Sequence, residues 1–127
     1  MGVVTVCITK IDNKTNTYPT SVEVALPGPW KVEGTATAES GKSIVYLAWN
    51  SGPIGGDHTI SMANLPNWEF YLTVDDVPTL GALNFAVDAL DNDSPPGSGR
   101  DWGSASRASN PPPPPAPAVL AQSGPYA

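Results

Sequence analysis

The sequence predicts an all-β fold: an antiparallel β-sandwich of about seven strands, immunoglobulin-like or jelly-roll-like, followed by an extended proline-rich C-terminal arm. Three observations lead there. Apolar and polar residues alternate with period two over roughly the first ninety residues, with no sustained helical period. Glycine- and proline-bearing breaks interrupt that alternation at short, regular intervals. From Pro95 onward the composition shifts to Pro, Gly, Ser and Ala.

The strands follow in order. "VVTVCITKI" places Val4, Val6 and Ile8 on one face, and "SVEVAL" places Val22, Val24 and Leu26 inward. In "WKVEGTATAE" the residues Trp30, Val32, Gly34, Ala36 and Ala38 share a face. Their small size predicts that a large aromatic or another layer packs close over them. "SIVYLAW" is apolar on both faces, which predicts a central strand covered on both sides. "HTISMANL" directs Ile60 and Met62 inward; "WEFYLTV" does so with Trp68, Phe70, Leu72 and Val74. "LNFAVDAL" completes the set with Leu83, Phe85, Val87 and Ala89. Between them, "DNKTNTYPT", "PGP", "ESGK", "NSGPIGGD", "NLPN" and "DDVPTLG" carry turn chemistry, and the prolines of "NLPN" and "DDVPTLG" exclude central strands. A small barrel is the competing architecture. The expected organisation is a β-domain over 1–93, a flexible Gly/Ser/Pro linker over 94–110, and an arm over 111–127. The run Pro111 to Pro115, with Ala116 and Pro117, predicts a stiff polyproline II rod.

Composition narrows the function. Only 14% of residues are charged, and the net charge is −6. Residues 43–99 contain no Lys or Arg and carry all seven of Asp57, Glu69, Asp75, Asp76, Asp88, Asp91 and Asp93. A wholly acidic stretch repels phosphate backbones, which argues against nucleic-acid binding. No run of 18 apolar residues exists, so no membrane helix is expected, and no signal-peptide pattern opens the chain. With one cysteine, Cys7, no intramolecular disulfide can form.

Catalytic parts are missing. His58 is the single histidine, Cys7 sits in a strand, and there is no nucleophile elbow and no phosphate-cradling loop. A single His and a single Cys exclude a nitrogen–sulfur metal centre. The stretch "DALDNDSPP" resembles the short DND-P stretch of cadherin calcium linkers. That resemblance implies oxygen ligands from Asp88, Asp91, Asn92 and Asp93. The other acidic motifs of that family are absent, so no metal and no cofactor are expected.

Two binding readings remain. In the first, the chain is a non-enzymatic structural or assembly subunit, such as a viral capsid or phage decoration protein. It would dock to neighbouring protein subunits, in a homo- or hetero-oligomer, through Trp102, Pro111, Pro113, Pro115, Val119, Leu120 and Tyr126. A proline-rich arm loses little entropy when immobilised, and this one ends in an apolar cluster. In the second, a lectin-like sandwich binds carbohydrate through Trp49, Asn50, Asp57 and His58 beside the glycine-rich loop.

Overall fold

The computed structural model describes residues 3–52 and 55–108. Nine strands stand where about seven are expected, with no helix among the described residues: β1 Val4–Ile11, β2 Lys14–Thr15, β3 Val22–Val24, β4 Trp30–Ala38, β5 Ile44–Asn50, β6 Asp57–Thr59, β7 Asn67–Leu72, β8 Ala82–Asp91 and β9 Ser98–Arg107. They form a four-stranded sheet ordered β2-β1-β4-β7 and a five-stranded sheet ordered β3-β9-β8-β5-β6. Every pairing is antiparallel except β3 with β9, which is parallel, so the second sheet is mixed.

The two additional strands are β2 and β9. β2 completes a hairpin whose two turn residues, Asp12 and Asn13, have φ of 52° and 64°. Both central residues of a type I′ turn need positive φ, and Asp and Asn tolerate it. β9 occupies the segment expected to be a linker, and it pairs with β8 from Ala82↔Ser106 to Leu90↔Ser98.

One face of each sheet meets in a shared core. Trp49 of the five-stranded sheet stacks on Phe70 of the four-stranded sheet at 5.1 Å, and Phe70 meets Phe85 edge-on at 6.0 Å. Around them lie Ile8, Ile11, Val24, Val32, Leu47, Ile60, Leu72, Val77, Leu83 and Val87, all buried. The expected aromatic cover is there: Trp68 lies over Gly34, where a Cβ would collide with the indole and with the carbonyl oxygen of Cys7.

Several inward assignments change. β3 stops at Val24, ahead of the Pro27 and Pro29 turn, and Leu26 is exposed. β7 ends at Leu72, because Thr73 enters a turn in which its N–H and hydroxyl both donate to Asp76 Oδ2; Val74 is therefore exposed. β6 ends at Thr59, leaving Met62 in a loop and exposed. β5 is not covered on both sides: Val45 is 53% exposed beside a register irregularity between Ile44 and Tyr46.

Along one side the sheets are stitched together by side chains. Asp101 of β9 points inward, and its Oδ2 accepts the Ile8 N–H of β1 at 2.7 Å. Asn16 Nδ2 donates to the carbonyls of both Ile8 and Trp102, at 3.1 and 3.0 Å. The approach is close enough that a Cβ on Gly99 would sit 2.5 Å from the Val4 carbonyl oxygen. β1 bulges between Ile8 and Lys10 at this junction, directly after the residue whose amide Asp101 accepts.

Candidate functional site

The outer face of the five-stranded sheet carries the most organised exposed chemistry among the described residues. β9 alternates small residues toward the core (Gly99, Gly103, Ala105) with Ser98, Arg100, Trp102 and Ser104 on the other face. Register then fixes their neighbours: Arg100 lies opposite Asp88, Trp102 opposite Ala86, Asp88 opposite Ala48, and Asn50 opposite both Ala86 and Asp57. Ala48 and Ala86 make a low floor between taller side chains.

Across that floor runs a chain of polar contacts. Arg100 clasps Asp88 with two bonds, Nε to Oδ1 and Nη2 to Oδ2, the latter at 3.0 Å. Asn50 Nδ2 donates to Asp88 Oδ2 at 2.7 Å, and Tyr46 Oη donates to Asp57 Oδ2 at 2.7 Å. Tyr46, Asp57, Asp88, Leu90, Ser98 and Arg100 line a groove of about 580 Å³. The hydrogen bond to Asp57, with some burial and the nearby carboxylates, raises the Tyr46 phenol above its ordinary value and keeps it a donor. The bond to Asp88 likewise raises Arg100, followed by the attraction of that same carboxylate.

Beside the groove stands an aromatic platform. Trp102 is 39% exposed and stacks on Tyr18, itself 42% exposed, with centroids 6.1 Å apart and planes 23° from parallel. The Arg100 guanidinium sits 5.5 Å from the Trp102 ring centre, within cation–π range. A second hollow of about 420 Å³ on the four-stranded sheet is lined by Thr9, Lys10, Glu33, Asn64, Asn67 and Glu69 among others, with no exposed ring.

The residues singled out from sequence separate. Trp49 is 6% exposed, clamped between His58 at 4.3 Å and Phe70 at 5.1 Å, so its ring faces are occupied. His58 stays with it, its Nε2 3.2 Å from the Gly55 carbonyl. Asn50 and Asp57 lie on the opposite face, in the network just described. The four therefore do not converge on one site. Trp102 lies on the surface; Pro111, Pro113, Pro115, Val119, Leu120 and Tyr126 lie outside the described residues.

Asp88, Asp91 and Asp93 also turn to separate partners. Asp91, 1% exposed, accepts the Asp93 and Gly97 N–H groups on Oδ1 inside the β8–β9 turn, and Asp93 faces Lys42 at 3.3 Å. Among the described residues no three His, Cys, Asp or Glu side chains are grouped to hold a metal ion.

Tyr18, Tyr46 and Arg100 were not singled out from the sequence. One signal for Arg100 was present in "SGRDWGSAS", whose alternation is of size and not of hydropathy. Tyr18 carries no such signal, since it reaches Trp102 across 84 positions of chain. No family model matches the chain, and no curated protein matches it.

Proposed function

We propose that the chain is a non-enzymatic β-sandwich that works as a structural or assembly subunit, as in a capsid or a decoration layer, docking to neighbouring protein subunits. Its strand order supports an immunoglobulin-like sandwich over a jelly roll. One sheet is β2-β1-β4-β7 and the other β3-β9-β8-β5-β6, with β3 running alongside the last strand. The observation that carries the functional reading is Trp102. It stands exposed in a stacked aromatic pair, on the strand that leads directly into the proline-rich segment. Large exposed rings ordered by their neighbours are what protein interfaces use as anchors. The test is native mass by light scattering, for the full chain and for a chain ended after Ala108. Cutting earlier, within 98–107, would remove part of β9 and its pairing with β8 and β3. An oligomer that becomes monomeric on truncation is expected; equal monomeric mass in both would overturn the reading.

A second reading, carbohydrate binding, is favoured by the groove. Tyr46 gives it an aromatic wall, and Asp57, Asp88, Ser98 and Arg100 offer acceptors and donors suited to vicinal hydroxyls. On a glycan array this predicts binding that disappears with Asp57→Ala; a flat array ends it.

A further inference from the structure

The Trp102–Tyr18 platform needs an occupant, and the chain itself contains one of matching chemistry. We propose that it is the receptor for the segment Pro111 to Pro117 of a second copy of this chain, bound as a polyproline II ligand. This rests on the assembly reading above and names the surface it would use.

Four features of the platform fit such a ligand. Its two rings lie nearly parallel and partly exposed, leaving ring surface beside the Arg100 guanidinium against which pyrrolidine rings pack. Polyproline II has three residues per turn and rises about 3.1 Å per residue, so prolines three apart recur on one face about 9 Å apart and bracket the pair. The carbonyls of such a rod have no internal partners. Among the described residues the Trp102 indole N–H and the Tyr18 hydroxyl make no hydrogen bond, so both are available as donors. Finally, Arg100, the cation beside the Trp102 ring, is paired with Asp88, so an uncharged Pro/Ala segment meets a balanced charge there.

The geometry of the chain favours a second copy over self-docking. β9 runs to Arg107, and the Ala108 N–H is still bonded to the Val24 carbonyl at 2.9 Å, which keeps the chain in line with the sheet. Trp102 lies five residues behind Arg107, about 17 Å at strand rise. Two residues, Ser109 and Asn110, separate Ala108 from the first proline. The residue before a proline is pushed toward extended conformations, so a sequence this short offers little room for a reversal over its own strand. A neighbour's segment faces no such constraint.

The test uses full-length protein in four forms: unaltered, Trp102→Ala, Tyr18→Ala, and a triple variant Pro111→Gly, Pro113→Gly, Pro115→Gly. Self-association is measured by light scattering over a concentration series. The Trp102 indole N–H resonance, assigned by its loss in Trp102→Ala, is followed on dilution. The expected result is that all three variants weaken association tenfold or more, the scale of an aromatic interface anchor. Their melting temperatures should stay near that of the unaltered chain. The indole resonance should move with concentration in the unaltered chain and stay fixed in the triple variant. Association lost in the triple variant but intact in both Trp102→Ala and Tyr18→Ala would overturn the platform as receptor and leave the assembly reading standing. Association intact in the triple variant would overturn the proline segment as ligand and leave the assembly reading standing, and a monomer at every concentration would overturn both. An indole shift that the triple variant abolishes but dilution does not would place the chain's own segment on the platform, and the second copy would be wrong.

Discussion

Trp49 and Trp102 sit two strands apart on one sheet and face opposite ways, and that orientation decides what each loses on truncation. Trp49 is packed on both faces by His58 and Phe70 and touches Phe85 edge-on. Removing it leaves a cavity that the surrounding rings cannot close. Trp49→Ala should therefore cost about 3–5 kcal/mol, a large part of the roughly 5–15 kcal/mol that holds a domain of this size together. Trp102→Ala, in dilute protein, should cost below about 1 kcal/mol, because its ring is already partly in water and its stacking partner Tyr18 is also exposed. Urea melts of the two variants provide the check: a midpoint lowered by more than about 1 M for Trp49→Ala and barely moved for Trp102→Ala. Gly34 makes the converse point. A methyl there meets the Cys7 carbonyl and the Trp68 ring, one of them backbone and neither able to yield, so Gly34→Ala should destabilise by about 1–3 kcal/mol despite being a strand residue where alanine is normally the better choice. A Gly34→Ala chain as stable as the parent would mean that Trp68 does not lie where described.

At the scale of elements, β9 links the two sheets along one side, in part through Asp101. The Ile8 amide it caps is only partly buried, so losing the acceptor should cost about 1–3 kcal/mol. Asp101→Ala should show it as a lowered urea midpoint together with faster hydrogen exchange at Ile8 than elsewhere in β1. Uniform exchange along β1 would contradict the stitch. The β8–β9 turn adds a pH signature. The Ser94 N–H, then Lys42, hold the Asp93 carboxyl below the usual carboxylate range. A group whose pKa is lowered by folding contributes stability that is present above its unfolded value, about 3.9, and is lost as pH falls through the folded value. Between pH 5 and pH 2 the midpoint of the parent should thus fall more steeply than that of Asp93→Asn; parallel limbs would show that the contacts add nothing. β9 also shows why part of the fold was hidden in the sequence. β1, β4, β7 and β8 were legible because each sets large apolar residues against polar ones. On β9 the inward positions are Gly99, Asp101, Gly103 and Ala105, the two glycines held small by the closeness of Val4 and Phe85, so the alternation is real but invisible to hydropathy. β2 is two residues long and offers no period at all. The candidate site was legible to the same degree. Trp102 stood out as a large ring in a polar stretch, whereas its partners are assembled by β9 pairing with β8 and by Asn16 drawing the following loop, with Tyr18, to the strand. Trp49 misled because its place at a strand end resembles that of a surface aromatic, while strand parity turns it inward.

For the whole molecule, the acidic stretch from 43 to 99 is the feature whose meaning changed most. Seven carboxylates with no basic residue between them suggest a cation sink or a docking surface for a basic partner. The fold disperses them. Six of the seven have partners of their own: Asp57 accepts from Tyr46, Glu69 from Tyr71, Asp76 from Thr73, and Asp88 from Asn50 and Arg100; Asp91 gives Oδ1 to its own turn and Asp93 faces Lys42. The bases come from outside the stretch, Lys42 and Arg100, so folding itself supplies the counter-charges that the local sequence lacks. A divalent cation would have to displace these bonds and bring Asp88, Asp91 and Asp93 together against their present directions, and calcium ligation requires six to eight oxygens at about 2.3–2.6 Å. Binding to the folded form alone would raise the melting temperature in proportion to saturation. Millimolar calcium and excess EDTA should accordingly give the same melting temperature to within about 1 °C, a smaller shift than 1 kcal/mol of binding would produce in a domain of this size. A reproducible rise with calcium that EDTA reverses would show that the acidic turn opens to take the ion, and that the pairing of Asp88 with Arg100 is a closed state of a site and not its resting purpose.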